Sequence, residues 1–177
     1  MKRTLVVVGA AVVVASGVMN GESRQAADGK SVPEMVEIDG SKNPELIPEW
    51  SAWSFAFRVI ATGSRQLPSS VHAVVSPEEA TLLLKVAGRV QRLDRDCQDR
   101  VVKLHALVGK EKNEVLDARL RDMTIECRWA TLHARDRVLE QLRPEGGAAL
   151  TAFVASTKAS TSLTIRKQDL ARFLEPQ

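Results

Sequence analysis

The chain has no tyrosine and only seven aromatic side chains in 177 residues, so an aromatic-lined sugar cleft or a base-stacking platform has little to be built from. It has two cysteines and three histidines. Around His72, His105 and His133 the three- and four-residue spacings of a compact helical metal site offer nothing beyond ordinary charged neighbours, so neither a metal nor a cofactor is expected. No P-loop, no Gly-x-Gly-x-x-Gly after a strand, no Gly-x-Ser-x-Gly and no His-Glu-x-x-His occurs. An enzyme remains only as the reading in which a carboxylate site carries no recognisable motif. A charge excess is missing as well. The formal net charge is +3, Lys2 and Arg3 stand in an N-terminal stretch without acids, and elsewhere acids and bases alternate, which disfavours a nucleic-acid partner.

A long apolar run is also lacking. The only candidate, Leu5 to Met19, is 15 residues, shorter than the ~20 that span a bilayer as a helix. Met1-Lys2-Arg3-Thr4 before it and Ala15-Ser16-Gly17 within it have the charge and the small residues of a secretory signal, so residues 1–19 read as a signal peptide and the mature chain is expected to start near Asn20, in the periplasm or outside the cell. Membrane attachment is expected only if the signal stays uncleaved. Residues 20–47, with scattered Gly, Pro and charge, read as a flexible leader. Residues 48–177 read as a helical domain.

What is present is helical periodicity. Ser76-Pro77-Glu78-Glu79 has the form of a capping box with proline at the first helical position. From Leu83 through Val86, Val90, Leu93, Cys97, Val101 and Leu104 to Val108 the apolar residues step by three and four, which predicts a helix over about 77–108. The opposite side carries Arg92, Arg95, Asp96, Asp99 and Arg100, a solvated face of four-apart pairs worth ~0.2–0.5 kcal/mol each. Gly109 to Asn113 interrupts the pattern. A second stripe, from Leu116 through Leu120, Met123 and Cys127 to Leu142, predicts a helix over about 114–142 that stops before Pro144.

A loop this short makes the two helices an antiparallel hairpin, in which facing residues have a constant sum of numbers. Val108 with Leu116, Leu104 with Leu120, Val101 with Met123, Val90 with Ala134 and Val86 with Val138 all sum to 224. So do Cys97 and Cys127. The register that joins both stripes therefore faces the only two cysteines, and in an oxidising compartment a Cys97–Cys127 disulfide is expected, stabilising by ~3 kcal/mol through loop closure. Neither cysteine can reach a histidine: Cys97 and His105 stand ~12 Å apart along a helix, and Cys127 and His133 lie on different faces, so a Cys–His nucleophile is excluded.

Flanking segments complete an all-α fold. Pro48 to Ile60 holds four of the aromatics, with Trp50, Trp53, Phe57 and Ile60 on one face and Phe55 and Val59 on the other. This helix is either sandwiched as the middle of the core or offers one face for docking, which makes Trp50, Trp53, Phe55 and Phe57 the candidate partner-binding residues. Pro144 to about Lys158 reads as a further helix weakened by Gly146 and Gly147, Ser160 to Ile165 as loop-like or weakly extended, and Gln168 to Leu174 as a short last helix.

Behind a signal segment, a helical hairpin with Ser76-Pro77-Glu78-Glu79 opening one helix and Arg143-Pro144-Glu145 opening another resembles the small periplasmic stress chaperones related to Spy and CpxP. The resemblance is architectural and spans residues 76–158. That family's repeated Leu-Thr-x-x-Gln motif and its Met- and His-rich character are absent here. It implies a holdase that shelters unfolded clients on a helical surface. The residues themselves point first to an exported, non-catalytic binding or structural protein of the cell envelope.

Overall fold

A computed structural model describes residues 3–8, 11–14, 34–63, 67–108 and 114–174. The chain is predominantly helical, as expected, with six α-helices, two short 3-10 turns and four short strands among these residues. Helix α1 spans Glu49–Thr62, α2 Ser69–His72, α3 Pro77–Val108, α4 Glu114–Gln141, α5 Pro144–Ala159 and α6 Leu170–Leu174; the strands are β1 Arg3–Val8, β2 Ala11–Val14, β3 Met35–Asp39 and β4 Thr161–Arg166. Both long helices end within a residue of the bounds that their periodicity predicts.

The two helices pack along the expected seam. Val101, Leu104 and Leu120 form a small core of their own with Leu116 and Met123. Nearer the other end, Val90 and Val138 belong to the main core, with Val86 and Ala134 against it. Between these clusters Cys97 and Cys127 stand at disulfide distance, sulfurs 2.16 Å and Cα atoms 6.1 Å apart. The pair therefore marks the point where the main core ends and a two-layered helical arm begins.

Helix α1 packs against α3, α4 and α5, which is the sandwiched arrangement. It starts directly after Pro48, whose fixed φ suits a helix entry. Ala52, Trp53, Ala56, Phe57 and Ile60 are buried in the main core, the i, i+1, i+4, i+5, i+8 pattern of one broad helical face.

The start of α3 is tied down as its capping box predicts, and by more than that. Ser76 Oγ accepts from the Glu79 N–H at 3.2 Å, and Glu79 accepts in return from the Ser76 N–H at 2.7 Å. The same carboxylate accepts from the backbone N–H of Arg143 at 2.6 Å and from its guanidinium at 3.0 Å. Arg143 immediately precedes α5, so one buried side chain joins the beginnings of two helices. The Arg143 side chain first, then the Arg143 and Ser76 N–H groups, hold the Glu79 carboxyl at about 2, below its ordinary 4.5.

A small sheet, in the order β2-β1-β4-β3, accompanies the helices. It corrects one expectation and decides another in favour of the extended alternative. Residues 34–47 are not a flexible leader: β3 runs antiparallel to β4 with Val36 opposite Ile165 and Ile38 opposite Leu163, and Ile38 and Ile47 are buried. Residues 34–47 therefore belong to the folded part, while residues 20–33 lie outside the described residues. Thr161–Arg166 is likewise a strand, in which Leu163 and Ile165 enter the core while Ser162 and Thr164 alternate with them; period-two alternation over six residues is a weak signal in so polar a segment. The apolar run read as an export signal supplies β1 and β2, which pair with each other, β1 lying parallel to β4.

Two glycines respond oppositely to a methyl group. At Gly40 a Cβ would come within 2.0 Å of the Lys158 carbonyl oxygen, because β3 must pass against the end of α5. At Gly147, inside α5, it would meet only Leu139 Cδ2 at 3.7 Å, an ordinary contact. Gly40→Ala should therefore destabilise by ~2 kcal/mol or more, whereas Gly147→Ala should stabilise by ~0.5–1 kcal/mol through helix propensity; thermal or urea unfolding of the two variants checks both signs.

The Glu79 clasp makes a second prediction. Its carboxyl is held below its ordinary value, so its contribution is complete above about pH 4.5 and fades as pH falls toward about 2. Glu79→Gln should lower the melting temperature at neutral pH and flatten the decline of stability between those limits, as melts along a pH series would show.

Candidate functional site

Alongside α1, where it crosses the hairpin, runs a shallow groove lined by Trp50, Ser54, Asp94, Gln98, Thr124 and Arg128, with the two cysteines at its floor. It continues past Phe55 and Arg58 toward Thr161 of β4. The sequence explains the mixed lining. Trp50 and Ser54 are four apart and lie at the edge of the apolar face of α1, while Asp94 and Gln98 are four apart on the flank of the α3 seam.

Each charge in the groove is engaged. Arg58 donates to Asp94 at 2.5 Å, joining α1 to α3. The Arg128 guanidinium lies 4.8 Å from the centre of the Trp50 ring, and Trp50 meets Phe173 of α6 edge-on, ring centres 5.7 Å apart. The indole N–H of Trp50 is buried and makes no hydrogen bond among the described residues. Such an unmet donor is costly and uncommon in a finished core.

The sequence-predicted residues divide. Trp53, 2 % exposed, and Phe57, fully buried, are core. A partner does not reach them, which removes both from the docking face expected of them. Trp53 instead donates from its indole nitrogen to Glu49 at 2.7 Å, and Lys158 of α5 donates to the other carboxylate oxygen at 2.8 Å. Burial alone would raise the Glu49 carboxyl, but these two bonds outweigh it and leave it below its ordinary value. Trp50 and Phe55 are half-buried and line the groove. Sequence reasoning missed Ser54, Asp94 and Arg128. It also missed Trp129, which is 44 % exposed on α4 with its ring edge-on to His133 at 5.5 Å.

Asp94 is the one carboxylate in the groove and is already paired with Arg58, and the cysteines face each other. No group of three or more His, Cys, Asp or Glu side chains among the described residues can hold a metal ion. The free space in the groove, about 50 Å³, has room for a few water molecules. Comparison with protein families, with curated proteins and with solved structures finds no match.

The division between core and groove is measurable. Trp53→Ala and Phe57→Ala should each cost ~3–5 kcal/mol, and Phe55→Ala, with one side against the core and the other in the groove, roughly half of that. Urea unfolding of the three variants gives the order; a Phe55→Ala loss equal to that of Trp53→Ala would make the whole helix core.

Proposed function

We infer that the protein is an exported, non-catalytic binding or structural component of the cell envelope that takes a segment of a partner protein into the groove beside Trp50. The observation carrying this reading is the half-buried Trp50 ring, set in a shallow cleft beside Arg128 and Phe55. Tryptophan and arginine are the side chains that most often anchor such interfaces. A volume of water-sized scale fits one inserted side chain better than a metabolite. Export is supported by the charged and apolar N-terminus and by the facing cysteine pair, since disulfides persist outside the cytoplasm. Cleavage near Asn20 would remove β1 and β2 and leave β4 paired with β3.

A second reading, a holdase for unfolded clients, draws on the apolar side chains that the hairpin leaves exposed, among them Val102, Leu107, Ile125 and Trp129. Suppression of aggregation of a reduced client protein by the mature chain would favour it. Turnover abolished by a single carboxylate substitution would favour an enzyme instead.

A pull-down from an envelope fraction with the mature chain tests the first reading, after intact mass has established where the chain begins. A stoichiometric partner is expected. Ser54→Arg, which fills the groove, should abolish capture, and Trp50→Phe, which trims the indole to a single ring, should weaken it about tenfold by shrinking the aromatic anchor. Equal capture by both variants would contradict the groove.

A further inference from the structure

The two helices of the hairpin differ in one respect. Helix α3 is apolar along one side, but α4 is apolar along two. Opposite the seam that faces α3, roughly 150° around the helix at 100° per residue, Val115, Ala118, Asp122, Ile125, Trp129 and Leu132 follow one another at intervals of three, four, three, four and three. This is the heptad spacing by which one helix packs along another. Val115 is 73 %, Ile125 43 % and Trp129 44 % exposed, whereas Leu132 is already covered by its own chain. A lone exposed leucine needs no explanation, but a heptad stripe with a tryptophan in it does.

We propose that this face of α4 binds the same face of a second copy, the two α4 helices running antiparallel about a twofold axis near residues 123 and 124. The stripe is complementary to itself in that arrangement. Ala118 and Trp129 sum to 247, as do Asp122 and Ile125, so the small side chain of one copy meets the tryptophan of the other. The flanks complete the match. Arg119 and Glu126 border the stripe on one side, both exposed, and neither forms an ion pair within the chain among the described residues. The twofold axis brings Arg119 of each copy beside Glu126 of the other, giving two ion pairs. On the other flank Arg121 comes toward the position of Arg128, whose guanidinium is turned inward over the Trp50 ring. That inward turn spares the dimer a clash of like charges.

Asp122 fixes the direction. A parallel pair would set the two Asp122 carboxylates at one level, whereas the antiparallel pair sets each against Ile125; a single polar residue in such a stripe selects orientation at the expense of affinity. The dimer is therefore weak, with dissociation in the micromolar range. The stripe contains none of the side chains that line the groove, and the dimer is tested independently of the function proposed above.

Sedimentation velocity of the mature chain over a series of concentrations reads the equilibrium. Ile125→Glu, at an exposed position, should give a monomer with an unchanged melting temperature. Glu126→Arg should raise the dissociation constant about tenfold by turning two attractions into repulsions, and the double exchange Arg119→Glu with Glu126→Arg should restore it. A parallel dimer would not be restored by that exchange, because it pairs Glu126 with Arg121 and Arg119 with Glu114. A chain that is monomeric at ~100 μM, well above micromolar dissociation, or a double exchange that fails to restore the wild-type constant, overturns the proposal.

Discussion

The register between α3 and α4 is the constraint on which the other contacts depend. Shifting one helix by a turn would separate Cys97 from Cys127, open the Val101, Leu104 and Leu120 cluster, and move Asp94 away from Arg58. The seam alone does not hold the distal half. That half has a core of three buried residues and two partly buried ones, and a two-helix layer gains little from burial without a third element. The cysteine pair lies where the third layer, α1, gives out. A bond there, closing a loop of 30 residues, would disfavour the unfolded chain by ~3–4 kcal/mol on the chain-entropy account. That is comparable to the whole contribution expected of so small a cluster.

At the opposite end the molecule is held by charge: Glu79 satisfies donors at the start of α3 and just before α5. Nearer the groove, beside Trp50, Glu49 joins α1 to α5 through Lys158. Each of these carboxylates closes a helix terminus or a helix junction whose polar groups would otherwise face a partly dry interior. The groove lies between these two ends, along the stretch of α1 that must cross the hairpin. Its side chains are the ones that neither the main core nor the arm absorbs.

Much of this was legible in the residues. Step patterns of three and four placed both long helices, and a constant sum placed the cysteines, because a hairpin with a short turn has one degree of freedom and the apolar stripe uses it up. The capping box announced Glu79 but not Arg143, since a partner 64 positions away leaves no local trace. The sheet was missed because strands of five and six residues take their stability from each other, through pairs such as Ile38 with Leu163, and not from local periodicity. Trp53 and Phe57 were indistinguishable from Trp50 and Phe55 as docking residues, because periodicity gives the faces of α1 and not which neighbour covers each face. Trp129 and Ile125 were within reach: the second stripe of α4 is in the sequence, but the first stripe masks it when only the stronger one is followed.

The central claim, that the α3–α4 register is set by the seam and fixed by the cysteines, is tested most directly by alkylating the natively produced protein without reductant and mapping its peptides. The account predicts that neither cysteine is modified and that a single cross-linked peptide joins Cys97 to Cys127. Ready alkylation of both thiols in the folded protein, or a bridge from either cysteine to another chain, would contradict it.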